Sequence, residues 1–381
     1  MNTQLARAEI NVTRFAFCSF LFAVCFTTMQ LVLNTPGAYL RLKDGCFHIT
    51  VAEQSKLVSP KKVESILISS AVKLSSAALQ LAVESNIDVV FLDKFGAPFG
   101  RLWHAKLGST TRIRRGQLIA STSAEGLGYA RRWVQQKLDN QIEFLTTLAN
   151  KRPAKQEQLG VYISQIQIIR DKLRDVHLKN GASAQADLEN TPNLPHAPCP
   201  LPLAAESLRG LEGTAGRIYF EALSFIQPEQ FPFHGRSRQP AKDEFNCILN
   251  YCYGVLYGLV ERACMLSGLE PYLGFFHADN YNKKSLVFDL IEPYRIWAEE
   301  TTVYLFSQRQ VKKEMFDQLQ NGLTLNKEGK QAVIAALNER LDTAMRHKGR
   351  NLARRNIIQL DCQAFAQELL KIDLEREPET E

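Results

Sequence analysis

The sequence holds no CxxC pair and no cysteine–histidine spacing of the zinc-module kind, although it contains eight cysteines in 381 residues. Closely paired ligands are what a structural zinc site needs, so that class is excluded. Cys247, Cys252 and Cys264 lie in a strongly apolar helical stretch and read as small core residues of a reducing, cytoplasmic setting. Walker-type and GxGxxG loops are missing, which removes the common nucleotide-binding folds. There is no internal repeat and no low-complexity tract, so the chain is not a solenoid. The apolar run at residues 15–26, preceded by Arg7 and Arg14, covers about 12 residues where a spanning helix needs roughly 20.

What is present suits two soluble domains of about 100 to 200 residues each. The chain is 45% hydrophobic and 23% charged, with a formal net charge of +6. That excess permits a polyanionic partner without requiring one. Basic residues crowd at Arg112, Arg114 and Arg115, at Arg131 and Arg132, and along Arg346, Lys348, Arg350, Arg354 and Arg355. Each run reads as a solvated face or as a contact to phosphate.

Residues 1–28 read as an extension, either an upstream mis-start with Met29 as the true first residue or a membrane-addressing segment. Residues 29–108 carry short β-type alternation, with Asp44-Gly45 as a hairpin signal and helical spacing at 75–83. Residues 109–123 read as a linker and the start of the helical region. From 124 to 381 the pattern is helical. Leu127, Ala130, Val134, Leu138, Ile142 and Leu145 recur every three to four residues, and further helices are expected near 159–176, 245–266, 287–305, 327–345 and 362–372. A loop is expected at 180–204. The fold class is α+β, a small N-terminal β-rich, β-sandwich-like domain followed by a larger all-α helical domain.

Three segments place acids and a histidine in apolar settings: LEGTAGRIYF at 211–220, GFFH at 274–277 and SLVFDLIEPYR at 285–295. In a helical reading of the first, Glu212, Gly216 and Tyr219 share a face, and Gly216 leaves room beside the carboxylate. In the third, Asp289 and Glu292 point the same way if a helix begins near Ser285 as N-cap, and to opposite faces if the chain is extended. Pro293 leaves that choice open; the helix is favoured. Two carboxylates and a neutral imidazole suit a divalent cation, magnesium or manganese.

With MQLVLNTPGAYLRL at 29–42 and NCILNYCYGVLYG at 246–258, these motifs in this order resemble the CRISPR adaptation integrases, the first numbered family of CRISPR-associated proteins. The resemblance implies that Glu212, His277 and Glu292 are metal ligands and that Asp289 supports them at the catalytic centre. It also implies weaker DNA-contact candidates in Tyr219, Arg236, Arg238, Asn246, Asn250, Lys284 and Arg295. Each of these has a structural alternative, such as core for Tyr219, ties between helices for Asn246 and Asn250, and an acid's partner for Arg295. The implied activity is metal-dependent insertion of short double-stranded DNA, the spacer precursor, into a CRISPR repeat by 3′-hydroxyl attack. Related members also cut branched DNA. The implied partners are DNA, a second copy in a homodimer formed by the β-rich domain, and the small adaptation protein Cas two, with no membrane. A non-catalytic DNA-binding scaffold and a membrane-associated protein are the competing readings.

Overall fold

The computed structural model describes residues 12–14, 29–85, 87–92, 98–102, 110–188, 201–238, 240–277 and 283–374. The chain divides into two units, Met1–Gly108 and Ser109–Glu381.

The first unit holds two sheets. One is mixed, in the order β1(Val12–Arg14), β2(Met29–Leu33), β6(Val63–Ile68), β8(Asp88–Leu92), β9(Pro98–Leu102), with β2, β6 and β8 parallel and the outer strands antiparallel. The other runs β5(Gln54–Val58), β4(Cys46–Val51), β3(Tyr39–Lys43), β7(Lys73–Leu74). Asp44 and Gly45 take positive φ values of 50° and 68° in the β3–β4 turn, the conformation that a tight two-residue hairpin needs. Alternate residues of both sheets, among them Leu31, Leu40, Phe47, Ile49, Ile66 and Val89, close one core with Ala78 and Ala82 of α1(Ser76–Glu84). Within the N-terminal extension, Val12–Arg14 pairs with Met29–Leu31 as a strand. The apolar run at 15–26 lies outside the described residues. Among the described residues no helix is long and apolar enough to cross a membrane.

The second unit is mainly helical: α2(Thr110–Ser121), α3(Ala124–Asn150), α4(Gln156–Leu188), α5(Leu201–Ile226), α6(Glu244–Leu266), α7(Ser285–Leu290), α8(Arg295–Ser307), α9(Lys327–Asp342) and α10(Arg354–Leu374). Two hairpins interrupt it, β10(Phe316–Leu319) with β11(Gly322–Leu325), and β12(Ala344–His347) with β13(Arg350–Ala353). The second hairpin ends the 327–345 helix at Asp342, because Lys348 and Gly349 adopt positive φ and reverse the chain. The loop expected at 180–204 is helical at both ends, since α4 runs to Leu188 and α5 starts at Leu201. The alanine-rich stretch after Gly181 favours helix more than its asparagine and glycine oppose it. Residues 189–200 lie outside the described set.

Packing around α2 is intolerant of change. A Cβ on Gly116 would lie 2.0 Å from the Leu369 carbonyl oxygen of α10. The adjacent Gln117, fully buried, donates to the Glu270 and Leu273 carbonyls and accepts from the Glu270 N–H. The turn leading into GFFH is thereby tied to the helical core.

Candidate functional site

Glu212 stands at the edge of the buried stripe of α5, which includes Leu208, Ala215, Ala222 and Leu223. A Cβ on Gly216, one turn later, would meet only Glu212 Oε1, at 3.9 Å, so the glycine keeps the carboxylate's flank open as expected. Tyr219 departs from that face: it is fully buried, 0% exposed, beside Tyr253 and Glu299. It is core, and it offers no surface to DNA in this structure.

The third segment is helical only as far as Leu290. Pro293 then occupies the first turn of a 3-10 helix, Glu292–Tyr294, before α8 begins, a position where its missing N–H costs nothing. Ser285, the expected N-cap, is instead the first helical residue. Lys284 takes the cap position without a side-chain capping bond, and the Ser285 hydroxyl turns to the Lys283 carbonyl, 3.5 Å away. Because the helix stops between them, Asp289 and Glu292 part company.

Asp289 is fully buried behind the GFFH strip. Its carboxylate accepts the N–H groups of Phe275 at 2.6 Å, Phe276 at 3.0 Å and His277 at 3.0 Å, and lies 2.6 Å from His277 Nδ1. An ionised carboxylate only accepts, so Nδ1 carries the proton in this contact and Nε2 is the ring nitrogen left for a ligand. Phe275 stacks on Trp133 of α3 at 6.0 Å and 10°, and Arg209 of α5 donates to the Phe276 carbonyl at 2.9 Å. Asp289 is therefore a positioning residue for the imidazole rather than a group facing the cleft. Asp289→Asn should release the His277 ring, seen by NMR as a changed tautomer, while Glu212→Ala should leave the tautomer as it is in the wild type.

Glu292 is 3% exposed. Arg295 Nε donates to its Oε1 at 2.8 Å, and Lys137 Nζ lies 2.7 Å from its Oε2. The same Lys137 ammonium donates to Glu212, so one buried cation on α3 bridges both acids. Burial raises the Glu292 pKa, but Arg295 and Lys137 outweigh it and hold it at about 2. Lys137 is opposed by burial too, yet Glu292 and Glu212 keep it protonated well above its usual range.

Glu212, His277, Glu292 and Lys137 all line one cleft of about 1280 Å³. Among the described residues, however, no three acid, histidine or cysteine side chains stand close enough round one point to hold a metal. Glu212 and Glu292 meet on the Lys137 ammonium instead. The donor chemistry nonetheless fits a divalent cation, with two ionised oxygens, a neutral imidazole nitrogen fixed from behind, and a buried Glu292 Oε2 that lacks a well-aligned hydrogen bond.

Of the weaker candidates, Arg236, Arg238, Asn250 and Arg295 line the cleft. Arg236 is held there by Asn246 Oδ1 at 2.6 Å and Asn250 Oδ1 at 2.9 Å. Asn250 in turn donates to the Ser237 and Arg238 carbonyls. Asn246 is fully buried, binding Gly235, Ser237 and Asp243, and so is a tie between α6 and the arginine loop rather than a DNA contact. Lys284 pairs with Glu261 at 2.8 Å, and its neighbour Lys283 is the one that lines the cleft. The motifs missed Lys137 and Asn140, which donates to the Pro293 carbonyl at 2.7 Å; Tyr257, inside the 246–258 motif, accepts from Arg295 through its hydroxyl at 2.8 Å. A signal existed: Lys137 falls on the buried stripe between Val134 and Leu138, where an unpaired lysine is not tolerated.

A sequence profile of the family described as CRISPR associated protein Cas1 matches residues 31–339. The CRISPR-associated endonuclease Cas1 1 of Archaeoglobus fulgidus is 33% identical over 342 residues, covering 87% of this chain and 94% of that protein. Among solved structures, a casposase bound to integration product superposes with a TM-score of 0.69 at 21% identity, over 92% of each chain. A chain of a Cas6-RT-Cas1–Cas2 complex superposes with a TM-score of 0.65 at 20% identity, over 90% of this chain and 35% of that longer one. At these identities the structural likenesses establish the fold.

Proposed function

The chain belongs to the Cas1 family of CRISPR-associated proteins, and from that premise we propose that its helical unit joins short duplex DNA into a CRISPR repeat, with endonuclease cleavage as the related reaction. The observation that carries this reading is the convergence of Glu212, His277, Glu292, Arg236 and Arg295 on one cleft. The integration product held by the casposase and the endonuclease name of the Archaeoglobus relative support the two directions of the chemistry.

Joining is a transesterification. The 3′-hydroxyl oxygen bonds to a repeat phosphorus as the bond to the departing 3′-oxygen breaks, so phosphodiester number is conserved and no covalent enzyme intermediate is required. Glu212, Glu292 and His277 Nε2 would hold magnesium or manganese. Such an ion, when bound, polarises the phosphodiester and stabilises charge on the departing oxygen. Asp289 fixes the imidazole so that its lone pair, not a proton, faces the reacting centre. Arg236, braced by two asparagines, and Arg295, braced by Glu292 and Tyr257, set positive charge on the cleft wall, where preorganised charge lowers the barrier to phosphoryl transfer. In this reading the β-rich unit forms the homodimer and Cas2 is the small partner, a pairing supported by the Cas1–Cas2 assembly among the structural neighbours.

The test is strand joining. Purified protein, with and without the small partner, is incubated with magnesium or manganese, a labelled duplex with free 3′-hydroxyls and a supercoiled plasmid carrying a repeat. Label should enter the plasmid, and Glu212→Ala should abolish it. Joining that survives Glu212→Ala overturns the site. DNA binding without joining or cleavage in any metal returns the protein to the scaffold reading.

A further inference from the structure

The basic run at 346–355 takes no part in the cleft. It forms the β12–β13 hairpin and the start of α10, and from Thr343 to Arg355 it contains five lysines and arginines and no acid. The structure sorts these cations into two groups. Arg354 and Arg355 are spent internally, the first on the Arg340 and Thr343 carbonyls at 3.3 Å and the second on Asp342 at 2.6 Å. Arg346, Lys348 and Arg350 are exposed around the two-residue turn, and neither Arg346 nor Arg350 meets an acceptor among the described residues. Met345 and Leu352, paired across the strands, pack against the helical core, so the ribbon is held down at its base and presents its tip.

That tip is not loose. His347 Nε2 lies 2.9 Å from Asp361 Oδ1, and Lys348 Nζ donates to the same oxygen at 2.9 Å. The other oxygen of Asp361 accepts the Tyr294 hydroxyl at 3.1 Å, and Tyr294 lies two residues beyond Glu292. One carboxylate on α10 therefore fastens both the hairpin tip and the turn that carries a proposed metal ligand. Exposed arginines that form no ion pair among the described residues, set on a two-stranded ribbon whose one nearby acid, Asp361, is already engaged by His347 and Lys348, fit the phosphate backbone of a duplex.

We propose that the tip of the β12–β13 hairpin, through Arg346 and Arg350, is a second DNA-backbone contact that grips duplex lying beyond the cleft. The proposal rests on the DNA-joining reading, and it adds a surface which that reading does not use. Its consequence is register: DNA gripped at the tip is held in a fixed relation to Glu292 through Asp361 and Tyr294.

The experiment uses the full chain with Arg346→Ser and Arg350→Ser together, and a labelled duplex of about 40 base pairs whose binding is followed by anisotropy over a range of salt concentrations. Each lost phosphate contact should make the slope of log affinity against log salt shallower by about 0.9. The double variant should therefore bind about 10-fold or more weakly at moderate salt, with a slope shallower by about 1.8 and an unchanged melting temperature. Arg346→Lys with Arg350→Lys should restore the slope. Cleavage of a short branched DNA at saturating concentration should be unaffected. Wild-type binding with an unchanged slope in the serine variant overturns the proposal, as does loss of the small partner protein with DNA affinity intact. Failure of the wild-type protein to bind duplex at all would instead sink the joining reading.

Discussion

Glu292→Gln should lower strand joining by about 10³-fold, the order seen when a group stabilising transition-state charge is removed, and should also destabilise the helical unit. The amide keeps the shape of the carboxylate and removes its charge. It leaves Lys137 and Arg295, 10% and 15% exposed, facing a neutral group. Removing one partner of a buried ion pair costs about 3 kcal/mol or more, since the stranded cation remains desolvated. Glu292 in the folded chain titrates at about 2, below its ordinary value of 4.5. Its ion pairs thus contribute stability in full above about 4.5, and that contribution drains away as the pH falls toward 2. The wild-type and Glu292→Gln melting temperatures should accordingly converge on acidification. Parallel curves at all pH values would show that Glu292 is not the ionised centre of the network. Glu292→Asp keeps the charge on a shorter arm and should recover most of the stability but little of the joining.

Lys137→Met should give the opposite pattern toward metal. Methionine preserves most of the aliphatic stem and removes the ammonium that bridges Glu212 and Glu292, so two carboxylates are left in repulsion. With chelator present the variant should melt roughly 5–10 °C below wild type, the equivalent of about 3 kcal/mol in a unit of this size. Adding manganese should restore most of that loss, because a divalent cation supplies the missing positive charge, and the metal-induced rise in melting temperature should exceed that of wild type. A variant that is destabilised equally with and without metal would show that Lys137 is a packing residue and does not share its oxygens with an ion.

The order of motifs in the sequence carried the site much further than spacing did. Glu212, His277 and Glu292 were singled out by the family resemblance, which rests on the order of three short segments, namely a glycine-flanked acid, an aromatic pair before a histidine, and an acid before proline. Lys137 was not legible in that way, because its partner Glu212 is 75 residues distant and periodicity reports a face without reporting what the face meets. The division of labour between Asp289 and Glu292 was equally hidden. Both fall three residues apart on one expected helix, and only the end of that helix at Leu290 turns one carboxylate toward the GFFH backbone and the other toward the cleft. Tyr219 was open to two readings, DNA contact or core, and the bundle closes over it. In the fold, the Asp44-Gly45 turn and the α3 stripe followed directly from local chemistry. The β12–β13 hairpin did not, since its alternation lasts only four residues per strand and merges with the helical periods on either side.

The claim on which the account turns is that Glu212, Glu292 and the Nε2 of His277 bind one divalent ion between them. Pulsed electron paramagnetic resonance of manganese added to the purified chain tests it most directly. Bound manganese should couple to a single imidazole nitrogen, with the coupling lost in His277→Ala and the binding weakened in Glu212→Ala. Tight manganese binding with no nitrogen coupling, or coupling that persists in His277→Ala, would contradict it.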